Sequence, residues 1–290
     1  MKRLSIFLLG LLTQILPASA QSGAEGQSLL WKVSGPGLKK SSWLFGTMHS
    51  ICKDDYFFTP KMKEALAGSE QLVLEVDLSD PAMVNQYQQH LMLPEGKTLR
   101  DFFPDEQAYT AFCKQLNDRY GIDATPFVRF KPFLLLSMLS MKQLDCAMPE
   151  SYEMNLLTEA GNRKLPVLGL ESSLSQLQLF DRMPEADIRR MLEESLQEDP
   201  QADSTGQEAM VRHYRNQDIE ALYKLIVSTP EFRQHEKELI SGRNVQWMNT
   251  LMHTLADKSN FIAVGAGHLG GPQGLIRLMR NAGLKVEPVL

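Results

Sequence analysis

The 290-residue chain has only three cysteines, Cys52, Cys113 and Cys146, and none of them forms a C-x-x-C pair. A zinc ribbon and a dithiol redox motif are thereby excluded. One disulfide plus a free thiol suits the odd count, but spacing alone does not pair them. There is no H-E-x-x-H, no G-x-S-x-G and no P-loop, so the usual signatures of zincins, serine hydrolases and nucleoside triphosphatases are missing. Positive charge is scarce as well: 30 Lys and Arg face 35 Asp and Glu, a net charge of −5. Such a surface is a poor match for a phosphate backbone, and no nucleic-acid partner is expected. Past the N-terminus no apolar run approaches the ~20 residues of a spanning helix; Phe133 to Leu139 is far too short. No repeat and no low-complexity linker divides the chain, and with 43% hydrophobic residues it can bury a sizeable core.

The first twenty residues read as a secretion signal. Lys2 and Arg3 form a positive start, Leu4 to Leu16 an apolar stretch, and Ala18-Ser19-Ala20 a small-residue cleavage site. The mature chain is expected to run from Gln21 to Leu290, exported to the periplasm or secreted, with no transmembrane segment. Losing Lys2 and Arg3 takes the net charge from −5 to −7.

Residues 28–35 and 41–46 predict a hairpin around Pro36-Gly37. Residues 59–68 predict a helix, with Thr59 as N-cap and Pro60 at its first position. Residues 71–76 (QLVLEV) and 165–170 (LPVLGL) predict buried strands. Helices are expected over 80–90, 105–120, 131–145 and 151–160, the last ended by Gly161. From 175 to 255 the pattern is helical, with breaks near Pro184, Pro200 to Gly206 and Ser228 to Pro230. Residues 261–264 form a last long apolar strand, followed by a helix over 274–281 and a terminal strand over 284–289. Strands at both ends around a helical middle predict an α/β (α+β) domain over 21–290. Its central mixed sheet has an N-terminal hairpin and C-terminal strands, with helical insertions at about 80–160 and 175–255 acting as a cap.

Two stretches, WLFGTMHS (43–50) and FIAVGAGH (261–268), end an apolar run in Gly-x-x-His. Two further runs end at Glu75 and Glu171. If the four strands are parallel in one sheet, His49, Glu75, Glu171 and His268 meet on one rim. Two imidazoles with a carboxylate suit a divalent transition ion with open positions for water or substrate. A spare carboxylate can serve as general base. Each Glu can equally cap the segment after it. The other histidines, His90, His213, His235 and His253, lie in polar helical contexts and read as surface residues. Arg243, beside Asn244, is either a solvated helix residue, which its position favours, or a carboxylate or oxyanion partner at the rim. Asp145 and Glu153 flank a helix break and are open to either reading. Residues 265–271, GAGHLGG, contain a literal G-x-G-x-x-G with Glu287 downstream. The remaining βαβ units would have to precede it, an order that dinucleotide folds do not use, so nucleotide binding is not expected.

Taken in order, LFGTMH, LVLEVD, LGLES, GRN-x-x-W and VGAGHLGG resemble the TraB/GumN family, which is related to the Tiki proteins. The resemblance runs from about Leu30 to Val289. The family's two G-x-x-H motifs match Gly46 to His49 and Gly265 to His268. Its strand-end glutamate matches Glu75 and its late-helix arginine Arg243, while Asn244, Glu153 and Glu171 fall on polar positions of its pattern. The resemblance implies an α/β fold shared with erythromycin-esterase-like and ChaN-like proteins. For the Tiki branch it implies a metal-dependent protease using manganese or cobalt. Some bacterial members are linked by name to polysaccharide production or to peptide pheromone shutdown.

The expectation is therefore an exported metal-dependent hydrolase acting on a peptide or ester-like bond of a peptide or small-molecule substrate. His49, His268 and Glu75 are the candidate ligands of manganese, cobalt or zinc, Glu75 doubling as candidate base and Arg243 as charge stabiliser or orienter. Glu171, Asn244, Glu153 and Asp145 stand behind them. The alternatives are a haem or metal-ligand carrier of the ChaN-like type, with the histidines as axial ligands, and a metal-free hydrolase using a histidine base.

Overall fold

A computed structural model describes residues 27–79, 90–144, 146–197 and 206–290. The secretion signal, the helix expected over 80–90 (except His90) and Asp145 lie outside these residues.

The α/β expectation holds. Strand β1 (Leu30–Ser34) turns back into β2 (Ser42–Thr47) as an antiparallel hairpin, with Leu30 opposite Phe45. Strands β3 (Ile51–Cys52) and β5 (Pro149–Glu150) pair with each other in a separate two-residue ribbon. Strands β4 (Gln71–Val76), β6 (Val167–Glu171), β7 (Asn260–Gly265) and β8 (Lys285–Pro288) complete a six-stranded sheet in the order β6-β4-β7-β2-β1-β8. The β6-β4, β4-β7 and β7-β2 pairs are parallel; β1 pairs antiparallel with β2 and β8. All six residues of β4 are buried, and five of the six in β7. Both strands are covered on both faces, which is why they read as unbroken apolar runs rather than alternating ones. Because β2, β4, β6 and β7 run the same way, their carboxyl ends share one rim.

Among the described residues, hydrophobic packing falls into two clusters. The first surrounds the sheet and includes Trp31, Phe45, Leu72 and Phe261. The helix Gly242–Asp257 adds Trp247, Leu251 and Leu255 to it. Their i, i+4, i+8 spacing puts one buried face on the helix, and burying each such side chain contributes about 1.5–3 kcal/mol. The second cluster joins three helices, Glu106–Tyr120, Pro132–Lys142 and Glu185–Gln197. Asp105 caps the first of these by accepting from the Ala108 amide, and Gly121 ends it in the left-handed conformation at φ 65°.

Several expectations are corrected. The helix begun at Ser151 passes through Gly161 to Arg163, and it is Lys164 that turns left-handed at φ 55°. The next strand is Val167–Glu171, so Glu171 belongs to it. The long helical region has an extra break at Gln217, also at φ 55°. His235 is buried, not on the surface: it is 9% exposed, and its Nε2 lies 2.9 Å from Asp187. Its polar neighbours in sequence concealed the fact that it faces the helix Glu185–Gln197. The cysteines pair as Cys52–Cys146, leaving Cys113 free. Among the described residues no helix is long and apolar enough to cross a membrane.

Candidate functional site

His49 follows β2, and its Nδ1 lies 3.0 Å from Oε1 of Glu153. An ionised carboxylate only accepts, so Nδ1 carries the proton and Nε2 faces the other way. Glu153 stands in the first turn of the helix Tyr152–Arg163, where the helix dipole favours a negative charge. The same Oε1 accepts from the Thr47 hydroxyl at 2.6 Å, and Oε2 accepts from Ser151 at 3.1 Å. Glu153 is held below the usual carboxylate range: burial works against this, but His49 and Thr47 outweigh it. Desolvation opposes a proton on His49, yet Glu153 outweighs that and its pKa rises. The His49 side chain is 69% exposed at the mouth of the site, so solvent screens the pair.

His268 is placed by a tight turn. After β7 the chain enters a 3₁₀ turn, Ala266–His268. Gly46 on β2 lets this turn come close, since a Cβ there would lie 3.1 Å from Cα of Ala266. Asn244 then sets the ring. Its amide nitrogen donates to the carbonyls of His268 and Gln273, so its oxygen is left to accept from Nδ1–H of His268 at 2.7 Å. Nε2 of His268 keeps its lone pair and accepts from Nη1 of Arg243 at 3.1 Å. Burial and Arg243 push the His268 pKa down to about 4 despite Glu75 opposite, which leaves a neutral ring.

Glu75 occupies the centre, 8% exposed. Its Oε1 accepts from the Gly265 amide at 2.8 Å and lies 3.8 Å from Nε2 of His268. Its Oε2 accepts from Nη2 of Arg243 at 2.6 Å and from Nε2 of Gln176 at 3.0 Å. Burial would raise its pKa, but His268, Arg243, His49 and the Gly265 amide outweigh that and hold it at about 2.

Arg243 is buried, at 8% exposure, which overturns the solvated reading. A π-helical turn, Lys237–Ser241, precedes its helix. Gly242 is needed there, because a Cβ would lie 2.4 Å from the Lys237 carbonyl oxygen. The wide turn shifts the helix register and carries Arg243 inward. Nε donates to Glu171 at 3.1 Å, Nη1 to the Leu239 carbonyl at 2.9 Å and to His268, and Nη2 to Glu75 and, at 2.5 Å, to Glu171. All five guanidinium N–H groups are therefore used. The guanidinium stacks 4.7 Å over the Trp247 ring, and the His268 ring lies 4.6 Å from that ring between centroids.

The fold thus brings together His49, Glu75, Glu153, Glu171, Arg243, Asn244 and His268. Sequence reasoning missed Gln176, Thr47 and Trp247. Thr47 lies inside the first Gly-x-x-His, and Trp247 is the last residue of the GRN-x-x-W motif. Gln176 sits in the helix that starts directly after β6 (Ser173–Asp181), so its place after a strand-end glutamate was the available signal.

The fit of a metal rests on Gly265. A Cβ on it would lie 3.3 Å from Oε1 of Glu75, 3.6 Å from Nε2 of His49 and 3.7 Å from Cδ2 of His268. Three donor-bearing side chains therefore line the cradle that glycine leaves open. Both imidazoles have Nδ1–H fixed by an oxygen acceptor, which leaves Nε2 as the atom to face a metal, an arrangement common among metal-ligating histidines; His49 has to give up its Nε2 proton for this. These donor types fit a divalent transition metal. Among the described residues, no three His, Cys, Asp or Glu side chains already stand at metal-ligating separations. Nη1 of Arg243 has to yield the His268 lone pair for a cation to bind there.

Comparison with known proteins gives three similar sequences from two animals. Metalloprotease TIKI2 of Xenopus tropicalis is 25% identical over 321 aligned positions, covering 92% of this chain and 61% of that protein. Metalloprotease TIKI1 of Danio rerio is 22% identical over 312 positions, covering 90% of this chain and 63% of that protein. Metalloprotease TIKI2 of Danio rerio is 31% identical over 84 positions, 29% of this chain. The chain spans less than two thirds of the length of these relatives. No solved structure matches it. The profile of the TraB/PrgY/gumN family matches residues 29–288, and the chain belongs to that family.

Proposed function

We propose that this protein is an exported metal-dependent hydrolase that cleaves a peptide or ester-like bond. The observation that carries the reading is the cradle at Gly265, lined by Glu75, His49 and His268. The metalloprotease names of the relatives support a metal and favour a peptide substrate.

In this reading His49, His268 and Glu75 hold the ion. When bound, a divalent metal polarises the scissile carbonyl and lowers the pKa of water to ~7. The chain's own residues do the positioning. Glu153 and Asn244 fix the two imidazole tautomers. Glu75 acts as ligand rather than base, since a carboxylate held at about 2 takes up a proton poorly near neutral pH. Arg243 orients Glu75 and Glu171 through Nε and Nη2, and the Nη1–H that releases His268 when a cation binds is the one left for developing negative charge. His49, exposed at the mouth, marks the side from which substrate enters. Export is supported by the small-residue cleavage site after Ala20 and by the Cys52–Cys146 disulfide, which persists in oxidising compartments.

The test is the metal content of protein purified without chelator, beside His49→Ala and His268→Ala. About one equivalent of transition metal is expected in the parent (one site,), lost in both variants, with turnover of a peptide library under manganese, cobalt or zinc. No metal after reconstitution refutes the reading, and a Soret band on haem titration without hydrolysis moves the histidines to the carrier alternative. N-terminal sequencing of exported protein should begin at Gln21.

A further inference from the structure

His49 and Glu153 come from distant parts of the chain, and what joins them locally is the ribbon of β3 and β5. Its pairs are Ile51 with Glu150 and Cys52 with Pro149. His49 stands two residues before this ladder and Glu153 three residues after it. The ladder thus brackets the 3.0 Å contact between them, while the Thr47 hydroxyl on β2 holds the same Glu153 oxygen at 2.6 Å. A two-residue ladder is far too short to hold itself in water. The Cys52–Cys146 disulfide fastens one end of it, across a sequence separation of 94 residues. Ile51 and Tyr152, both fully buried, tie the other end into the main core.

The disulfide is open to reagents. Both cysteines are partly exposed, and both line a cavity of about 720 Å³, with Asp54, Asp55, Arg212 and Arg215 among its other walls. None of the residues that hold the candidate metal lines this cavity.

We propose that the Cys52–Cys146 disulfide is a positioning device for His49, and that a small dithiol entering this cavity opens it and loosens the His49–Glu153 pair without unfolding the chain. A thiolate of the dithiol attacks one cysteine sulfur, and the protein S–S bond breaks. The electron pair leaves on the other sulfur, which takes up a proton. The second thiol of the reductant then displaces the first protein sulfur, so the dithiol ends as a cyclic disulfide and the protein as two thiols. Two electrons and two protons pass to the protein. Ile51 and Tyr152 keep the core closed meanwhile. The consequence for turnover rests on the hydrolase reading; the consequence for His49 does not.

The experiment uses the full mature chain in a Cys113→Ser background, compared oxidised, reduced with dithiothreitol, and as Cys52→Ser with Cys146→Ser. Far-UV circular dichroism reports the fold. The ¹⁵N signals of the His49 ring, assigned by their loss in His49→Ala, report the Nδ1–H bond to Glu153. The expected result is unchanged helix content, loss of the fixed Nδ1–H signature on reduction and in the double variant, and its return on reoxidation. Turnover should fall at least tenfold in kcat, with KM changed by less than about twofold, the pattern of a misplaced catalytic group rather than lost binding. A signature lost on reduction supports the device even if no turnover is found in either state, which would count against the hydrolase reading alone. A signature that survives reduction overturns the proposal, as does global unfolding on reduction or measurable turnover that is equal in both states.

Discussion

Arg243→Met is the most informative single change. It removes the cation shared by Glu75 and Glu171 while leaving an apolar stem of similar length. The side chains involved are 10%, 9% and 12% exposed, so water cannot take the cation's place cheaply. Removing one partner of a buried ion pair costs about 3–5 kcal/mol, because the remaining charge is stranded. Here two carboxylates and the His268 lone pair lose donors together. In a domain of this size each kcal/mol moves Tm by roughly 2–4 °C, so a drop on the order of 10 °C is expected in thermal unfolding followed by circular dichroism. Arg243→Lys should recover the charge but not the forked geometry and fall between parent and Arg243→Met. Adding Glu75→Gln and Glu171→Gln to Arg243→Met should restore more than half of the loss, since neutral amides are not stranded charges. A loss below about 1 kcal/mol in Arg243→Met would refute the reasoning, showing that these carboxylates reach water or protonate at little cost.

Gly265→Ala separates the site from the fold. Gly265 has φ −50° and ψ 134°, which alanine tolerates, so stability should change by less than about 1 kcal/mol. The new Cβ fills the cradle 3.3 Å from Glu75, and metal uptake should fall at least tenfold; uptake equal to the parent's would remove the cradle from the reading. Tyr214→Phe strips the fully buried hydroxyl that donates to the Gly46 carbonyl at 3.0 Å. Chemical denaturation should show a loss of about 1–3 kcal/mol, and no loss would mean that this carbonyl finds another donor. Burial pushes the Cys113 thiol above its ordinary pKa. Its alkylation by iodoacetamide near neutral pH should be clearly slower than that of a free cysteine, and an equal rate would contradict its partly buried setting.

Much of the sheet was legible because strands covered on both faces must be apolar throughout. QLVLEV and FIAVG declare themselves for that reason, and a polar side chain at the end of such a run has to leave the core. Since four of these runs are parallel, the end residues His49, Glu75, Glu171 and His268 share a rim, and two copies of Gly-x-x-His pointed there. Only the structure reveals that Gly265 leaves the space between three candidate ligands.

Other features depended on contacts that no local pattern records. Hydrophobic periodicity tells which face of an element is buried, not what lies against it. Arg243 read as a solvated helix residue because the π turn before it, which resets the register, has no periodic signature. The cysteine pairing was undetermined until the β3–β5 ribbon placed Cys52 beside Cys146. Gln176 reaches Glu75 across 101 residues of sequence, and Glu153 reaches His49 across 104. Sequence alone determined the fold class, the approximate course of the apolar strands and the residue types able to hold a metal, since burial and turn chemistry act locally. Tertiary structure alone decided which tautomer each histidine keeps, where the guanidinium charge sits and what holds His49 to Glu153, because those are set by neighbours that only folding brings within hydrogen-bonding distance.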